Sequence, residues 1–280
     1  CQWAQPSPTV SFEIQYPVEF LALMSSYGYT LESIVNILKT GHATVTVGGK
    51  SDAKYFETAD HRFLIKTISQ VEMSVMPTFL PKYFRYVCAN PLNKIARVLC
   101  VFTIDVAGVY HYKCVLMENL RFGFVGNDVI LYDFKGAKRN RFIDENEQSV
   151  QLDTNYEKSS LDNRLIMSFA DKQATIKQIN QDAHFLASNN IMDYSLVVVL
   201  SRSEMTVRIG IVDIFRTYTL DKALETWVKK AAITSEAPTV ISPYDYCKRF
   251  VKALKKYFYQ SPSDEDAEAI RALIKKRKHV

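Results

Sequence analysis

Two aliphatic runs, close together in the chain, constrain the fold more than any other feature of the sequence. The first, at 195–200, reads Ser-Leu-Val-Val-Val-Leu, and the second, at 207–212, reads Val-Arg-Ile-Gly-Ile-Val. Their β-branched and aliphatic residues are typical of strands buried in a sheet. Asp193 precedes the first run and Asp213 follows the second. The pattern therefore predicts two carboxylates that are held rigidly at strand edges and face a cleft.

Two aspartates placed in this way suit phosphoryl transfer. One can orient or deprotonate an attacking hydroxyl, and the other can hold Mg²⁺ against nucleotide phosphates while a lysine neutralises phosphate charge. Lys66 is a candidate for that lysine because it ends an apolar strand pattern. A single aspartate after an apolar run is also an ordinary turn residue. The conjunction of two such aspartates with a strand lysine favours the enzymatic interpretation.

Length and composition fit a globular protein with one large or two small domains. The chain has 280 residues, of which 48% are hydrophobic, so it can bury a sizeable core. This composition argues against a disordered or fibrous protein. No run of about 18 apolar residues and no signal-peptide layout is present, so neither membrane spanning nor secretion is expected. Because the chain begins at Cys1 rather than methionine, we expect a fragment of a longer polypeptide.

The cysteines predict a reducing environment. All five (Cys1, Cys88, Cys100, Cys114 and Cys247) are scattered singly among apolar neighbours. This pattern is typical of reduced, buried thiols in a cytosolic protein, and the absence of a C-x-x-C pair argues against zinc.

Periodicity gives a coarse map of the remaining chain. Helices are predicted at 18–24, 31–38, 69–87, 161–187 with one break near Ala170, and 244–259. Residues 142–160 are polar and charged, and are predicted to form a variable surface loop.

Several motifs together resemble the phosphatidylinositol phosphate kinase family over residues 10 to 260. They are Ile191-Met-Asp-Tyr-Ser-Leu196, Tyr132-Asp-Phe-Lys-Gly136, Gly49-Lys-Ser51 with Phe63-Leu-Ile-Lys66, and Met117-Glu-Asn-Leu120. The segment Asp213-Ile-Phe-Arg-Thr-Tyr-Thr is most similar to the type III subfamily, the phosphatidylinositol 3-phosphate 5-kinases. The resemblance implies a two-lobed α+β fold. Its N-terminal nucleotide-binding lobe would cover 1–118, its mixed catalytic and lipid-binding lobe 119–260, and a charged tail 261–280.

The resemblance implies that ATP is bound mainly by the first lobe. The strand lysine would hold the nucleotide phosphates, a helix glutamate would align it, a glycine turn would cover the phosphates, and a hinge would contact adenine. The implied residues are Lys66, Glu72, Gly48, Gly49, Lys50, Ser51, Met117 and Asn119. From the residues alone, the Gly-Gly pair is also an ordinary hairpin turn, and Glu72 is also an exposed helix residue.

The second lobe would supply the reaction centre. The resemblance assigns Asp193 to the attacking hydroxyl, Asp213 to Mg²⁺ and Lys135 to the transferring phosphoryl group. It implies that Arg141, with Lys138 and Arg139, reads the phosphate already on the lipid, a task suited to the bidentate arginine fork. By composition alone, these cations could form a solvated basic loop.

Residues 216 to 246 form the predicted activation loop. Lys222, Lys229 and Lys230 surround Trp227, a pattern that suits an amphipathic element on an anionic bilayer. The same pattern would fit a helix packed on its own protein. Between 216 and 257 there are nine Lys and Arg against four Asp and Glu, so the positive charge of the chain is concentrated near this segment.

These expectations converge on an ATP- and Mg²⁺-dependent lipid kinase. It would phosphorylate the inositol 5-hydroxyl of phosphatidylinositol 3-phosphate to give the 3,5-bisphosphate, while bound peripherally to endosomal or other intracellular membranes from the cytoplasm. Regulatory or scaffold proteins could bind through the longer parent chain, and no recognised motif supports nucleic-acid binding. Two alternatives stay open: a kinase acting on phosphatidylinositol 4-phosphate, and a non-catalytic phosphoinositide-binding module.

Overall fold

In a computed structural model, the chain forms two compact units. The first unit comprises Cys1–Ala89 and Ala96–Gly123, and the second unit comprises Asn90–Ile95 and Phe124–Val280. The predicted turn at 48–51 and the predicted membrane lysines Lys222, Lys229 and Lys230 lie outside the residues that the structure describes. The functional division of the chain near Asn119 stays a prediction. The residues described are 9–40, 44–47, 53–107, 109–126, 128–144, 150–218, 241–261, 263, 265, 266, 268, 269, 271 and 272.

The first unit is built on a six-stranded antiparallel sheet. Its strands are β1 (Val10–Gln15), β2 (Thr44–Val47), β3 (Lys54–Glu57), β4 (Phe63–Ile68), β5 (Val98–Val106) and β6 (Tyr110–Glu118). They are ordered β1-β5-β6-β4-β3-β2. Lys66 therefore lies on an interior strand, opposite Tyr55 on one side and Val115 on the other.

Three helices accompany this sheet, close to the predicted ranges. They are α1 (Pro17–Ser26), α2 (Leu31–Thr40) and α3 (Gln70–Ala89). Thr30 caps the N-terminus of α2, since its hydroxyl accepts a hydrogen bond from the backbone N–H of Ser33 at 3.1 Å. Helices α1 and α3 pack through aromatic rings, with Phe20 and Phe84 in an edge-to-face contact at 4.9 Å.

The second unit contains a four-stranded mixed sheet and a short parallel pair. The strands are β7 (Val129–Phe134), β8 (Gln151–Leu152), β9 (Leu165–Met167), β10 (Ser195–Ser201), β11 (Thr206–Val212) and β12 (Phe258–Gln260), and the helices are α4 (Asp153–Lys158), α5 (Phe169–Ser188) and α6 (Pro243–Tyr257). The mixed sheet is ordered β11-β10-β7-β8, and β9 pairs in parallel with β12. The two aliphatic runs thus form the antiparallel hairpin β10–β11.

Two predictions about the second unit are wrong. The polar stretch 142–160 is not simply a surface loop, because its residues 153–158 form α4, in which Asp153, Asn155 and Tyr156 are buried. The helix predicted from 161 is replaced at Leu165–Met167 by a strand, whose partner β12 comes from the far end of the domain. A short apolar run does not reveal whether it will pair with a distant strand.

The predicted α+β class is confirmed by the antiparallel sheet of the first unit, the mixed sheet of the second and the helices in each. Within the described part of the chain, no helix combines the length and hydrophobicity needed to cross a bilayer.

The buried thiols lie mainly in the sheet of the first unit. Cys100 on β5 and Cys114 on β6 are buried, as is Cys247 on α6, whereas Cys88 is exposed, contrary to the prediction. Cys1 lies outside the described residues. Burial raises the pKa of Cys100 and of Cys114 from 9.0 to about 11.

These raised pKa values predict alkaline destabilisation. As the pH rises above 9, thiols of the unfolded chain ionise before those of the folded chain, so the free energy of unfolding should fall between pH 9 and 11. Urea unfolding at pH 8 to 10 would measure the slope, which should be shallower in the Cys100→Ala, Cys114→Ala double variant. The exposed-site variant Cys88→Ala serves as control, and equal slopes in all three proteins would contradict the prediction.

Candidate active site

The hairpin β10–β11 brings the two predicted catalytic aspartates to one end of the second sheet. Ser195 at the start of β10 lies opposite Val212 at the end of β11. Asp193 is two residues before this pair and Asp213 one residue after it, so the antiparallel register places both at the same end of the hairpin. Sequence patterning alone predicted this juxtaposition.

Both aspartates have a left-handed backbone conformation, with φ of 62° at Asp193 and 62° at Asp213. This region is uncommon for residues other than glycine, although aspartate tolerates it better than most. Such conformations persist only where the surroundings hold them, and they cluster at functional sites. The matching backbone conformation of the two aspartates is therefore evidence of a specialised site.

The carboxylate of Asp193 lies between two cations. Lys135 Nζ is 2.9 Å from Oδ1 and also donates to the backbone carbonyl of Asp193 at 2.7 Å. Arg216 Nη1 donates to Oδ2 at 2.8 Å. The Asp193 side chain is 32% exposed and that of Lys135 20% exposed, so the pair is accessible yet only partly screened by water.

Neighbouring residues anchor Asp193 on both sides. Tyr194 is fully buried, and its carbonyl accepts a short hydrogen bond from the hydroxyl of Tyr246 on α6. On the other side, the backbone N–H of Met192 donates to the carbonyl of Arg216 at 3.0 Å. Alternation along the chain thus buries Met192 and Tyr194 and leaves Asp193 partly exposed.

Lys135 follows β7 and is the first residue of a loop. The buried carboxylate of Asp153 holds this loop in place. Asp153 accepts hydrogen bonds from the backbone N–H of Lys135 at 3.2 Å and of Gly136 at 2.8 Å. It also accepts from Arg141 Nε at 2.8 Å and from the hydroxyl of Tyr257 at 3.1 Å. These four donors compensate the desolvation of the carboxylate.

Arg141 is engaged inside this network. Besides its bond to Asp153, its Nη2 makes short hydrogen bonds to the carbonyl and the carboxylate of Asp133, and its side chain is only 13% exposed. Asp133 in turn accepts from the hydroxyl of Ser195 at 2.9 Å, which links β7 to β10. These contacts give the Arg141 side chain a structural role, and its contact with a lipid phosphate stays a prediction.

The other cations of the loop are open to solvent. Lys138 pairs with Glu157 at 3.4 Å with its side chain 82% exposed, and Arg139 is also exposed. At exposed sites such pairs contribute little to stability. Both cations are therefore available to an anionic ligand.

Gly136 packs the same loop directly against α6. It has φ of +65°, and a Cβ added there would lie 2.9 Å from Ala253 Cβ and 3.1 Å from Phe250 Cα. Both the left-handed backbone and the close approach therefore require glycine at this position.

In the first unit, Lys66 lies on β4 with its ammonium 5.5 Å from the centre of the Tyr55 ring. Glu72 lies in the first turn of α3 and caps the helix, because its Oε2 accepts from both the backbone N–H and the hydroxyl of Ser69 at 2.8 Å. Pairing of Lys66 with Glu72 during nucleotide binding stays a prediction.

The predicted hinge residues lie at the end of β6. Met117 is buried in the sheet, opposite Leu64. The amide of Asn119 donates to Glu57 Oε1 at 2.6 Å and to the carbonyl of His61 at 2.9 Å. These contacts give the Asn119 side chain a structural role, while adenine recognition at Met117 and Asn119 stays a prediction.

Among the described residues, no group of three or more His, Cys, Asp or Glu side chains is gathered as a metal site. Mg²⁺ does not need such a cage, since it is usually held by one or two carboxylates together with substrate phosphates and water. The half-buried Asp213 after β11 fits this requirement.

Sequence reasoning missed Asp153 and the contact of Arg216 with Asp193. Asp153 stands in a charged stretch, 144–157, without a local pattern that distinguishes it from solvated neighbours. Arg216 follows Asp213 closely in the sequence, and this spacing could have predicted that Arg216 lies near the aspartates.

Replacing Asp153 should destabilise the second unit strongly. In Asp153→Asn the partly buried Arg141 loses a charged partner, and we expect the free energy of unfolding to fall by about 3 kcal/mol. Urea denaturation would measure this loss, with Asp162→Asn at an exposed site as the charge-matched control. A loss no larger than that of the control would contradict a central role for Asp153.

Comparing an alanine at Gly136 with an alanine at Gly28 should separate the cost of the packing clash from the cost of backbone strain. Gly136→Ala should lower the free energy of unfolding by about 2 kcal/mol, the sum of left-handed strain and the clash with α6. Gly28→Ala is the control, because Gly28 has φ of +83° but no atom within 4 Å of an added Cβ. Equal losses in urea unfolding would show that contact with α6 is unimportant.

Known proteins are similar in sequence to this chain. The profile of the family described as Phosphatidylinositol-4-phosphate 5-Kinase matches residues 39–206 and 200–257. A putative 1-phosphatidylinositol 3-phosphate 5-kinase of Drosophila melanogaster is 34% identical over 77% of this chain and 12% of its own length. The 1-phosphatidylinositol 3-phosphate 5-kinase FAB1 of Saccharomyces cerevisiae is 32% identical over 77% of this chain and 10% of its own.

The 1-phosphatidylinositol 3-phosphate 5-kinase of Homo sapiens is 35% identical over 77% of this chain and 11% of its own length. The chain thus spans about a tenth of the length of these curated relatives. The profile covers well over half of the chain, including the strands beside Lys135, Asp193 and Asp213. The resemblance inferred from the motifs is confirmed: the chain belongs to the phosphatidylinositol-4-phosphate 5-kinase family.

Proposed function

We propose that this chain transfers the γ-phosphoryl group of ATP to the inositol 5-hydroxyl of phosphatidylinositol 3-phosphate, giving phosphatidylinositol 3,5-bisphosphate. The observation that carries the proposal is the accessible carboxylate of Asp193, which contacts Lys135 and Arg216 at the hairpin end that also carries Asp213. The names of the fly, yeast and human relatives support the 3-phosphate lipid as substrate.

In this mechanism Asp193 orients the 5-hydroxyl and accepts its proton as the oxygen attacks the γ-phosphorus. The new O–P bond forms as the bond to the ADP oxygen breaks. Lys135 stabilises the negative charge of the phosphoryl group in transfer. Lys135 and Arg216 also offset the charge of Asp193, which lowers the electrostatic cost of bringing an anionic phosphate close to that carboxylate.

The remaining roles complete the proposed site. Asp213 would hold Mg²⁺, which when bound neutralises charge on the nucleotide phosphates. Lys66, aligned by Glu72, would bind those phosphates, and Arg141 would contact the phosphate already on the lipid. The glycine turn would cover the nucleotide and the hinge would contact its adenine, through Gly48, Gly49, Lys50, Ser51, Met117 and Asn119.

We propose peripheral attachment to an endosomal or other intracellular membrane. Lys222, Lys229 and Lys230 would attract anionic lipid headgroups, each basic residue contributing about 1 kcal/mol near such a surface. Regulatory or scaffold proteins would act through the longer chains in which related domains occur, since the matched region is about a tenth of each relative.

A second candidate substrate is phosphatidylinositol 4-phosphate. The observation in its favour is the description of the matching family, which names that lipid. A non-catalytic phosphoinositide-binding module is a further alternative, although a pure binding module has no need of Lys66, Asp193 and Asp213 together.

The decisive experiment measures labelled γ-phosphate transferred from Mg-ATP to vesicles that carry phosphatidylinositol 3-phosphate, phosphatidylinositol 4-phosphate or no phosphoinositide. The 3-phosphate lipid should be labelled preferentially. Asp193→Asn should reduce transfer by about 10³-fold, a typical contribution of a general base. Asp162→Asn provides the charge-matched control, and thermal unfolding of both variants checks that the fold is intact.

Each alternative has its own signature. Preferential labelling of the 4-phosphate lipid would select the second candidate, and undiminished transfer by Asp193→Asn would remove that residue from its proposed role. Absence of labelling, combined with no thermal stabilisation by saturating Mg-ATP, would favour the binding module.

A further inference from the structure

The segment Asn90–Ile95 is a separate piece of the second unit. It lies in the chain between α3 and β5, which both belong to the first unit. Two backbone contacts tie this segment to β11. The backbone N–H of Ile211 donates to the carbonyl of Lys94 at 2.6 Å, and Ile95 forms a parallel bridge with Ile211. Because β11 is the last strand of its sheet, the segment supplies a backbone partner on the side of β11 that faces away from β10.

These contacts lie two residues before Asp213 in the chain. Ile211 is fully buried and Ile95 is only 4% exposed, so the contact is shielded from water. A buried strand N–H that lacks an acceptor is costly, and the Lys94 carbonyl removes that cost for Ile211. Val212 and Asp213 follow directly. The position of the Asp213 carboxylate therefore depends on how firmly this end of β11 is held.

The carboxylate of Asp182 holds the segment Asn90–Ile95 from the helix α5. Asp182 is fully buried. Its Oδ2 accepts a hydrogen bond from the backbone N–H of Lys94 at 2.7 Å, and its Oδ1 accepts from the amide of Gln178, one turn earlier on the helix, at 2.9 Å. Burial of a carboxylate is costly, and Asp182 has no part in the proposed phosphoryl transfer. Its contact with Lys94 indicates what the buried group does.

Lys94 is thus bound through both of its backbone groups, with its N–H on α5 and its carbonyl on β11. The side chain of Asn93 restrains the neighbouring backbone as well. Its Oδ1 accepts from the N–H of Ile95 at 3.2 Å, and its amide donates to the carbonyl of Asn90 at 2.7 Å. The segment is therefore a short, restrained link between a buried carboxylate and the end of the strand that precedes Asp213.

We propose that Asp182 is a positioning residue for Asp213. Asp182 fixes the backbone of Lys94, Lys94 fixes the end of β11, and that strand end sets where the Asp213 carboxylate lies. The proposal rests on the proposed function, in which Asp213 holds Mg²⁺. Residues that orient a metal ligand typically change metal affinity by about 10- to 100-fold when they are replaced. Because Asp182 acts through the backbone, we expect an effect of about tenfold.

Metal binding measured without lipid and without turnover tests the proposal. Mn²⁺ is titrated into protein mixed with a smaller amount of a non-hydrolysable ATP analogue, and electron paramagnetic resonance reports the free Mn²⁺. Asp182→Ala removes the acceptor of the Lys94 N–H and should raise the Kd for Mn²⁺ about tenfold. Asp182→Asn keeps an oxygen at that place and should bind Mn²⁺ as the parent chain does. Asp213→Asn, which changes the ligand itself, should weaken binding at least as much as Asp182→Ala.

A matched control separates positioning from general stability. Leu165→Ala removes a buried side chain from β9, which lies in a different sheet from β11. It should lower the urea midpoint of unfolding and leave the Kd unchanged, because loss of stability reduces the number of folded molecules and not the affinity of each one. If Asp182→Ala does not fold, Asp182→Ser replaces it, since its hydroxyl lies one bond closer to the helix and does not reach the Lys94 N–H.

Three results would overturn the proposal. They are parent-like Mn²⁺ affinity in Asp182→Ala, an equal loss of affinity in Leu165→Ala, and an equal loss in Asp182→Asn. Parent-like affinity in Asp213→Asn would remove Asp213 from metal binding and would overturn the positioning role with it. Transfer of labelled phosphate to lipid by the parent chain is measured separately, so the proposed function can stand when the positioning role fails.

Discussion

The buried carboxylate of Asp153 is the interaction on which the second unit depends. It accepts from two successive backbone N–H groups after β7, from Arg141 and from Tyr257 near the end of α6. One side chain thus joins a strand end, a loop and a distant helix. An ionised group is costly to bury unless its hydrogen bonds are nearly complete, so the arrangement is tolerated only when all these elements are in place. The carboxylate therefore favours one specific assembly of the unit.

Aromatic side chains also join different elements of the second unit. Tyr156 lies in edge-to-face contact with Tyr132 at 5.1 Å and donates its hydroxyl to the carbonyl of Tyr257. Tyr194 packs on Phe250 at 5.1 Å. Each tyrosine contributes a large apolar surface while its hydroxyl or its backbone joins a polar contact. The residues that surround the candidate site are thus held by the same core that stabilises the unit.

The parts of this structure that sequence could predict are those with a local signature. Alternating burial around Asp193, the aliphatic hairpin and the cap of α2 at Thr30 each depend on residues within a few positions. Asp153 and the strand Leu165–Met167 could not be predicted in this way, because their partners are distant in sequence. Asn119 illustrates a third case: the motif predicts a hinge there, but only the three-dimensional structure reveals that the Asn119 amide donates to Glu57 and to the carbonyl of His61.

The double contact of Lys135 with Asp193 has a geometric consequence. The Lys135 ammonium donates to the backbone carbonyl of Asp193, and the same nitrogen lies 2.9 Å from the carboxylate oxygen Oδ1. Two oxygens of a single residue therefore hold one ammonium group. The left-handed backbone of Asp193 presents both oxygens to the same nitrogen. The strained conformation of one residue thus determines where a flexible lysine side chain places its positive charge.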